Sequence, residues 1–181
     1  MAEIDAPEIG KMGLVCVHLE NRANPLQRAD QIAFLFDEIK AHFGNLPVLV
    51  GGDMNTNTVD GNDENAMENL NDNPTEQWRR LGMIPQLEPQ MNLAVSRGFS
   101  YSDCNIMEKM TRRKPMPDGR MVYLNLDWFY QKGLKCRNPQ RVESIFRMNG
   151  LVNAPAGLKD FSGQELSDHD IVCVSCERGD A

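Results

Sequence analysis

The stretch GLVCVHLENRANPLQRADQIAFLFDEIKAHFGNLPVLVGGD, residues 13–53, decides the reading of this 181-residue chain. Val15, Val17 and Leu19 share one face and Leu14, Cys16 and His18 the other, the period-2 alternation of a strand. ENRANP is a turn that ends in a helix start. The Asn24 side chain can cap free N–H groups, and Pro25 at the first helical position has no N–H to leave unpaired. Ala29, Ile32, Ala33, Phe36, Ile39 and Phe43 then recur at helical spacing and Gly44 supplies a stop, which predicts a helix over 25–43. PVLVG, 47–51, is the short apolar run of a buried strand. Strand, helix, strand is the βαβ rhythm of an α/β protein.

Outward from this unit the signals thin. Residues 54–74 are rich in Asn, Asp and Glu and read as an irregular loop with at most a short helix. Asn73–Pro74 repeats the cap signature, so TEQWRRL before Gly82 is a short helix. Residues 83–97 have weak periodicity, 98–103 (GFSYSD) read as a strand, and 109–120 as a basic loop. MVYLNLDWFY, 121–130, is a strong strand; RVESIFRM, 141–148, is another, 149–166 a loop and DIVCVSC, 170–176, the closing strand. No repeat or linker divides the chain, so it reads as one domain over 13–177 with a short segment, 1–12, ahead of it.

Composition excludes several classes. Apolar residues are 41% and charged residues 25%, ordinary for a globular domain, and no apolar run is long enough for a membrane span. No export signal is visible and five cysteines make no disulfide scaffold, which together predict a cytoplasmic protein. The net charge of −7 argues against a general nucleic-acid coat. Charge is uneven, however: residues 109–147 are net +7, and residues 51–76 carry seven acids and no base. A basic third beside an acidic one suits a phosphate ligand and a metal, although charge runs are more often simply solvated.

Four polar clusters stand at strand ends or within strands, where an α/β scaffold holds side chains rigidly. They are His18 with Glu20, Asn21 and Arg22; Gly51-Gly52-Asp53-Met54-Asn55; Asn125-Leu126-Asp127-Trp128; and Ser167-Asp168-His169. Carboxylates and amide oxygens suit Mg²⁺ or Mn²⁺, and a histidine oriented by a carboxylate is a workable general base near neutral pH. These types together allow metal-assisted hydrolysis. Singly they are weak: a lone His is more often structural, and Gly-Gly-Asp-x-Asn is commonly a turn. Asp127 within an apolar strand needs a partner either way. Asp53, Asn55, Asn57 and Glu64 have calcium-loop spacing, but Thr58 replaces the required Gly. Cys173 and Cys176 have redox-pair spacing but lie in a strand, so they read as structural.

Taken in order, VCVHLENR, Arg28 and Gln31 on the helix, PVLVGGDMNT, LNLDWFY and LSDHDIV resemble the endonuclease/exonuclease/phosphatase superfamily over about residues 13–176. The resemblance implies a four-layer α/β sandwich, two mainly antiparallel sheets with outer helices, and divalent-metal-dependent hydrolysis of a phosphodiester or phosphomonoester. It implies that Asp53 orients the attacking water, Asn55 binds the phosphoryl group, and His169 is the base held by Asp127. Asp168, with Asp53, would contact Mg²⁺ or Mn²⁺ or its water shell, and His18 would polarise the phosphate or assist the leaving oxygen. Arg22, Asn125 and the basic loop 109–120 are implied substrate contacts.

Family domains run to about 250 residues or more, a size ordinary for one α/β domain, and their N-terminal half supplies a Glu metal ligand. MAEIDAPEIGKM has no equivalent, so the chain resembles only the C-terminal half of the sandwich, and an uncovered sheet face favours self-association or pairing with a separate N-terminal piece. The alternative from another class is a non-catalytic binding or assembly module. Nucleic acid, a phospholipid headgroup and a small phosphate ester all stay open as substrate.

Overall fold

The computed structural model of the chain describes residues 1–144 and 166–179. Its centre is a four-stranded sheet in the order β1 (Ala2–Ala6), β2 (Gly10–His18), β3 (Val48–Asp53), β6 (Asp127–Lys132). β2 and β3 are parallel, joined over α1 (Pro25–Phe43), while β1 and β6 run antiparallel to their neighbours. The βαβ unit therefore stands as the sequence predicts. Asn24 caps α1 by accepting from Gln27 N, and the Gln27 side chain accepts from Asn24 N in return. Ile32, Phe36, Ile39 and Phe43 of α1 bury against Val15, Val48, Val50, Trp128 and Tyr130 of the sheet. The Phe36 ring stacks on Phe99 at 4.1 Å and meets Tyr130 edge-on at 5.8 Å.

Four short helices follow β3: α2 (Glu64–Asp72), α3 (Pro74–Leu81), α4 (Ile84–Leu87) and α5 (Pro89–Ser96). α4 and α5 occupy the stretch of weak periodicity. They are too short for a stripe to register, and their signal is the proline in the first turn of each. β4 (Arg112–Pro115) and β5 (Met121–Leu124) form a hairpin, and β7 (Leu134–Val142) pairs with β8 (Ile171–Arg178).

Several expectations need correction. Residues 98–103 are not a strand: only Ser100 bridges to Gln131. Residues 121–130 are two strands in different sheets, broken at Asn125–Leu126. There the backbone turns to other partners: Asn125 O accepts from Thr56 Oγ1 and Trp128 Nε1, Leu126 N donates to Thr111 Oγ1, and Leu126 O accepts from Met54 N. The strand expected at 141–148 begins earlier, at Leu134, and its residues 145–148 lie outside the described ones, as does most of the loop 149–166. Residues 1–12 hold β1 and the start of β2. Part of the basic loop 109–120 is β4, and its cations are largely matched: Arg112 with Asp168, Arg113 with Asp170, Arg120 with Asp72 and Asp118.

One face of the central sheet is covered by α1 and α5. On the other face, β7–β8 covers part of the sheet through Leu134 and Cys136, packed with Ile9, Met12, Leu49 and Phe129. The remainder is an open apolar depression of about 500 Å³ lined by Leu14, Leu49, Gly51, Phe129 and Val172.

Candidate functional site

Strand register builds the site. His18 closes β2, Asp53 closes β3 and Asp127 opens β6, and the pairing aligns His18 with Asp53 and Asp53 with Asp127. Three polar side chains thus stand in one row across three adjacent strands. Two carboxylates directly opposite one another repel, so the row needs compensating charge or donors. It has both.

His169 reaches the row from the segment ahead of β8, which is held by pairing with β4: Arg112 bridges to His169, Arg113 N donates to Asp168 O, and Asp170 N to Thr111 O. His169 Nδ1 lies 2.8 Å from Asp127 Oδ2 and Nε2 lies 3.9 Å from Asp53 Oδ2. On the far side of Asp53, His18 Nε2 is 3.4 Å from the same oxygen. Asp53, Asp127 and His169 are the group of potential metal-ligating atoms among the described residues, all within 4.8 Å of one another.

Thr111 completes the arrangement, and sequence reasoning missed it. Its hydroxyl donates to Asp127 Oδ2 at 2.6 Å and accepts from the Leu126 and Asp127 N–H groups, each at 3.0 Å. The hydroxyl proton is therefore committed to the carboxylate, which fixes the Asp127 rotamer. No local pattern marks Thr111; its partners are fifteen and sixteen residues away.

The electrostatics follow from these contacts. The Asp127 hydrogen bond raises the His169 pKa above its ordinary value; partial burial opposes this, and the charges of Asp127, Asp53 and Asp168 reinforce it. Burial raises Asp53 above the usual carboxylate value. The Asn55 N–H opposes that shift, the Asp127 charge adds to it, and the two histidines oppose it. Burial also pushes Asp168 up, but the Arg112 hydrogen bond and charge outweigh it, and the net shift is downward.

The other sequence-predicted residues sit around the row rather than in it. Asn55 is 5% exposed at φ +48°, with Nδ2 donating to Leu19 O at 2.7 Å and its N–H to Asp53 Oδ1 at 2.9 Å. Asp168 is engaged by Arg112 Nε at 2.8 Å. Asn125 is buried and lines a small cavity behind Asp127 with Thr111, Lys109 and Arg141. Arg22 is exposed in the turn after β2, where its carbonyl accepts from Asn62 Nδ2. Arg28 is not near solvent: it is fully buried against Glu88.

No protein-family model matches the sequence, and neither does any curated protein. Solved structures do match in fold. An endonuclease/exonuclease/phosphatase from Beutenbergia cavernae DSM 12333 aligns with 99% of this chain and 39% of its own, at 15% identity and a TM-score of 0.53. A conserved protein of unknown function from Enterococcus faecalis V583 aligns with 91% of this chain and 49% of its own, at 15% identity and a TM-score of 0.48. The chain thus spans less than half the length of either. The architecture is α/β, consistent with an α/β sandwich, and it is shared with an endonuclease/exonuclease/phosphatase protein.

Proposed function

We propose that this chain carries the catalytic edge of a divalent-metal-dependent phosphoesterase, acting on a phosphodiester or phosphomonoester. One observation supports the reading above others: a histidine oriented by one carboxylate presents its second nitrogen to another carboxylate 3.9 Å away. With Nδ1–H donating to Asp127, Nε2 carries the lone pair. That lone pair and Asp53 Oδ2 are both acceptors, so a water donating to both is the group that fits between them. His169 then takes the proton as the water attacks phosphorus and the P–O bond to the leaving alcohol breaks, that oxygen being protonated by solvent; Asp127 stabilises the imidazolium, and Asp53 orients the water. His18, beyond Asp53, donates to a phosphoryl oxygen. Asn55 keeps one amide hydrogen for the same use, while Arg22 and Asn125 lie further out as substrate contacts.

The donor set of the row bears on a cation. Asp127 Oδ2 is already bound by His169 and Thr111, and Asp168 is engaged by Arg112. Among the described residues Asp53 Oδ2 accepts no hydrogen bond from a backbone or hydroxyl donor, and burial, with the Asp127 charge, raises its pKa, which a cation beside it would offset. That fits Mg²⁺ or Mn²⁺ held by one or two carboxylates together with water and substrate, not by a closed protein cage. Asp53 would hold the ion, which would supply positive charge to the phosphoryl oxygens, and Asp168 would join it on release from Arg112.

The test is Mg²⁺- or Mn²⁺-dependent release of nitrophenol from bis(p-nitrophenyl) phosphate and p-nitrophenyl phosphate. His169→Ala and Asp53→Ala should each lower turnover by at least about 100-fold, typical for a lost acid–base group. Turnover that survives both substitutions in folded protein refutes the assignment. A second reading, a non-catalytic assembly module, is favoured by the open apolar depression on the sheet. Mn²⁺ broadening of the His169 ring resonances in the absence of turnover would favour it.

A further inference from the structure

The spacing of Cys173 and Cys176 does not make a pair in the fold. Residues three apart on a strand face opposite ways, and Cys173 is exposed while Cys176 is half-buried. Cys176 meets a different thiol. Cys136 of β7 lies directly opposite it across the ladder, and the two Sγ atoms are 3.4 Å apart. Opposite residues of an antiparallel pair have Cβ atoms about 4.5–5.5 Å apart, so a disulfide, at about 3.5–4.5 Å, needs only a small closing movement. The register is pinned beside them by Glu177, which accepts from Arg137 at 2.6 Å and lies 3.8 Å from Lys135 Nζ. Cys136 is 7% exposed within the apolar cluster of Ile9, Met12 and Leu134, and Cys176 packs at its edge. A dissolved reagent therefore reaches Cys176 first.

We propose that Cys136 and Cys176 are an oxidisable dithiol that closes to a reversible cross-strand disulfide, with a low-molecular-weight disulfide as oxidant. The Cys176 thiol loses its proton, and the thiolate attacks the oxidant and releases one thiolate, which takes up that proton. Cys136 loses its proton and attacks the Cys176 sulfur of the mixed disulfide, releasing the second thiolate, which is protonated in turn. Two protein thiols are oxidised and one disulfide is reduced to two thiols. The new bond spans the 39 residues 137–175 and fastens β8, the strand that follows Asp168 and His169, to β7. Constraining that span in the unfolded chain stabilises the folded one. A Cys104 hydrogen bond and burial raise Cys136 to about 12, and its contact with Cys136 raises Cys176 as well. The thiolate is the attacking form, so exchange is slow and answers sustained oxidation rather than a brief pulse.

The experiment incubates the full chain with oxidised glutathione, alkylates the remaining thiols with iodoacetamide, and maps non-reduced peptides by mass spectrometry. The expected result is a Cys136–Cys176 link two hydrogens lighter than the dithiol. Reduced glutathione reverses it, and the linked protein has a thermal midpoint several degrees higher. Cys173→Ser should keep the link. Cys176→Ser, at a half-exposed position that tolerates a hydroxyl, should lose it, and Cys136→Ala should stop at the glutathione adduct of Cys176. Full alkylation of Cys136 and Cys176 after oxidation overturns the proposal, as does a link to Cys104 or Cys173. A link that leaves the midpoint unmoved overturns the fastening of β8.

Discussion

Replacing Glu88 by Ala should cost more stability than replacing His18, Asp53, Asp127 or His169, although Glu88 lies outside their row. Its carboxylate is fully buried and accepts four hydrogen bonds: from Arg28 Nε at 3.1 Å and Nη2 at 2.6 Å, from Thr58 N at 2.8 Å and from Gln90 Nε2 at 3.2 Å. The Arg28 guanidinium, also fully buried, donates in addition to Ala23 O and Val59 O. Deleting the carboxylate leaves a buried guanidinium with no counter-charge among the described residues and orphans the Thr58 N–H. Breaking a buried pair from one side costs about 3–5 kcal/mol. That is a large part of the roughly 5–15 kcal/mol a domain has in total.

Urea unfolding of the full chain measures the loss. With a slope of about 1–3 kcal/mol per molar, the Glu88→Ala midpoint should fall by roughly 1–5 M. Glu88→Gln should rescue only part of it, because the amide nitrogen turns a donor toward the Arg28 donors. The double variant Arg28→Met, Glu88→Leu should be more stable than Glu88→Ala, since it removes both charges and leaves only neutral groups unpaired. A Glu88→Ala cost below about 1 kcal/mol, or single and double variants that add without coupling, refutes the account of this pair as a charge-matched anchor.

Other expectations follow from the same geometry. Asp127→Asn removes the main contact that raises His169, so its pKa, read from the ring proton shifts by NMR, should fall. The stability this raised pKa confers is present below the ordinary histidine value of 6.5 and lost as pH rises through the higher folded value, so urea midpoints of Asp127→Asn should lack that dependence. Mn²⁺ or Mg²⁺ should raise the thermal midpoint, because burial disfavours the charged form of Asp53 and a cation offsets it; Asp53→Asn should abolish the shift. Gly52→Ala should fail to fold or lose more than about 3 kcal/mol, a combined clash and strain effect. A Cβ there would sit 1.9 Å from Val17 O, at φ +148°, and circular dichroism with urea titration checks it.

The βαβ unit was legible because its information is local. Asn24 and Pro25 start the helix by their own chemistry, and Ile32, Phe36, Ile39 and Phe43 announce their face by spacing alone. The break at Asn125–Leu126 was not legible, because it depends on Thr56, Thr111 and Met54, which are distant in sequence. Arg28 lay between these cases. It stands four residues before Ile32 on the buried face, so a charge there demanded a partner, yet nothing in the chain named Glu88, sixty residues on.

The candidate site is legible for a reason that separates it from the core. Asp53 and Asp127 are costly where they stand: two carboxylates meet across a ladder at the end of apolar strands, and burial raises one of them. A purely structural row would relieve that repulsion by exchanging one acid for a neutral residue. Here both acids are present and the relief comes from outside the sheet, through the imidazole of His169 and the hydroxyl of Thr111. Thr111 and His169 both engage Asp127 Oδ2, so Asp127 is the better satisfied acid and Asp53 the one left facing two histidines. On the proposed function the two acids would divide the work: Asp127 would hold the base, and Asp53 would have room for water, cation or phosphate. Substitution at Thr111 tests that division directly. Thr111→Val removes a donor from Asp127 without touching Asp53, so it should lower turnover while leaving the Mn²⁺-induced thermal shift intact.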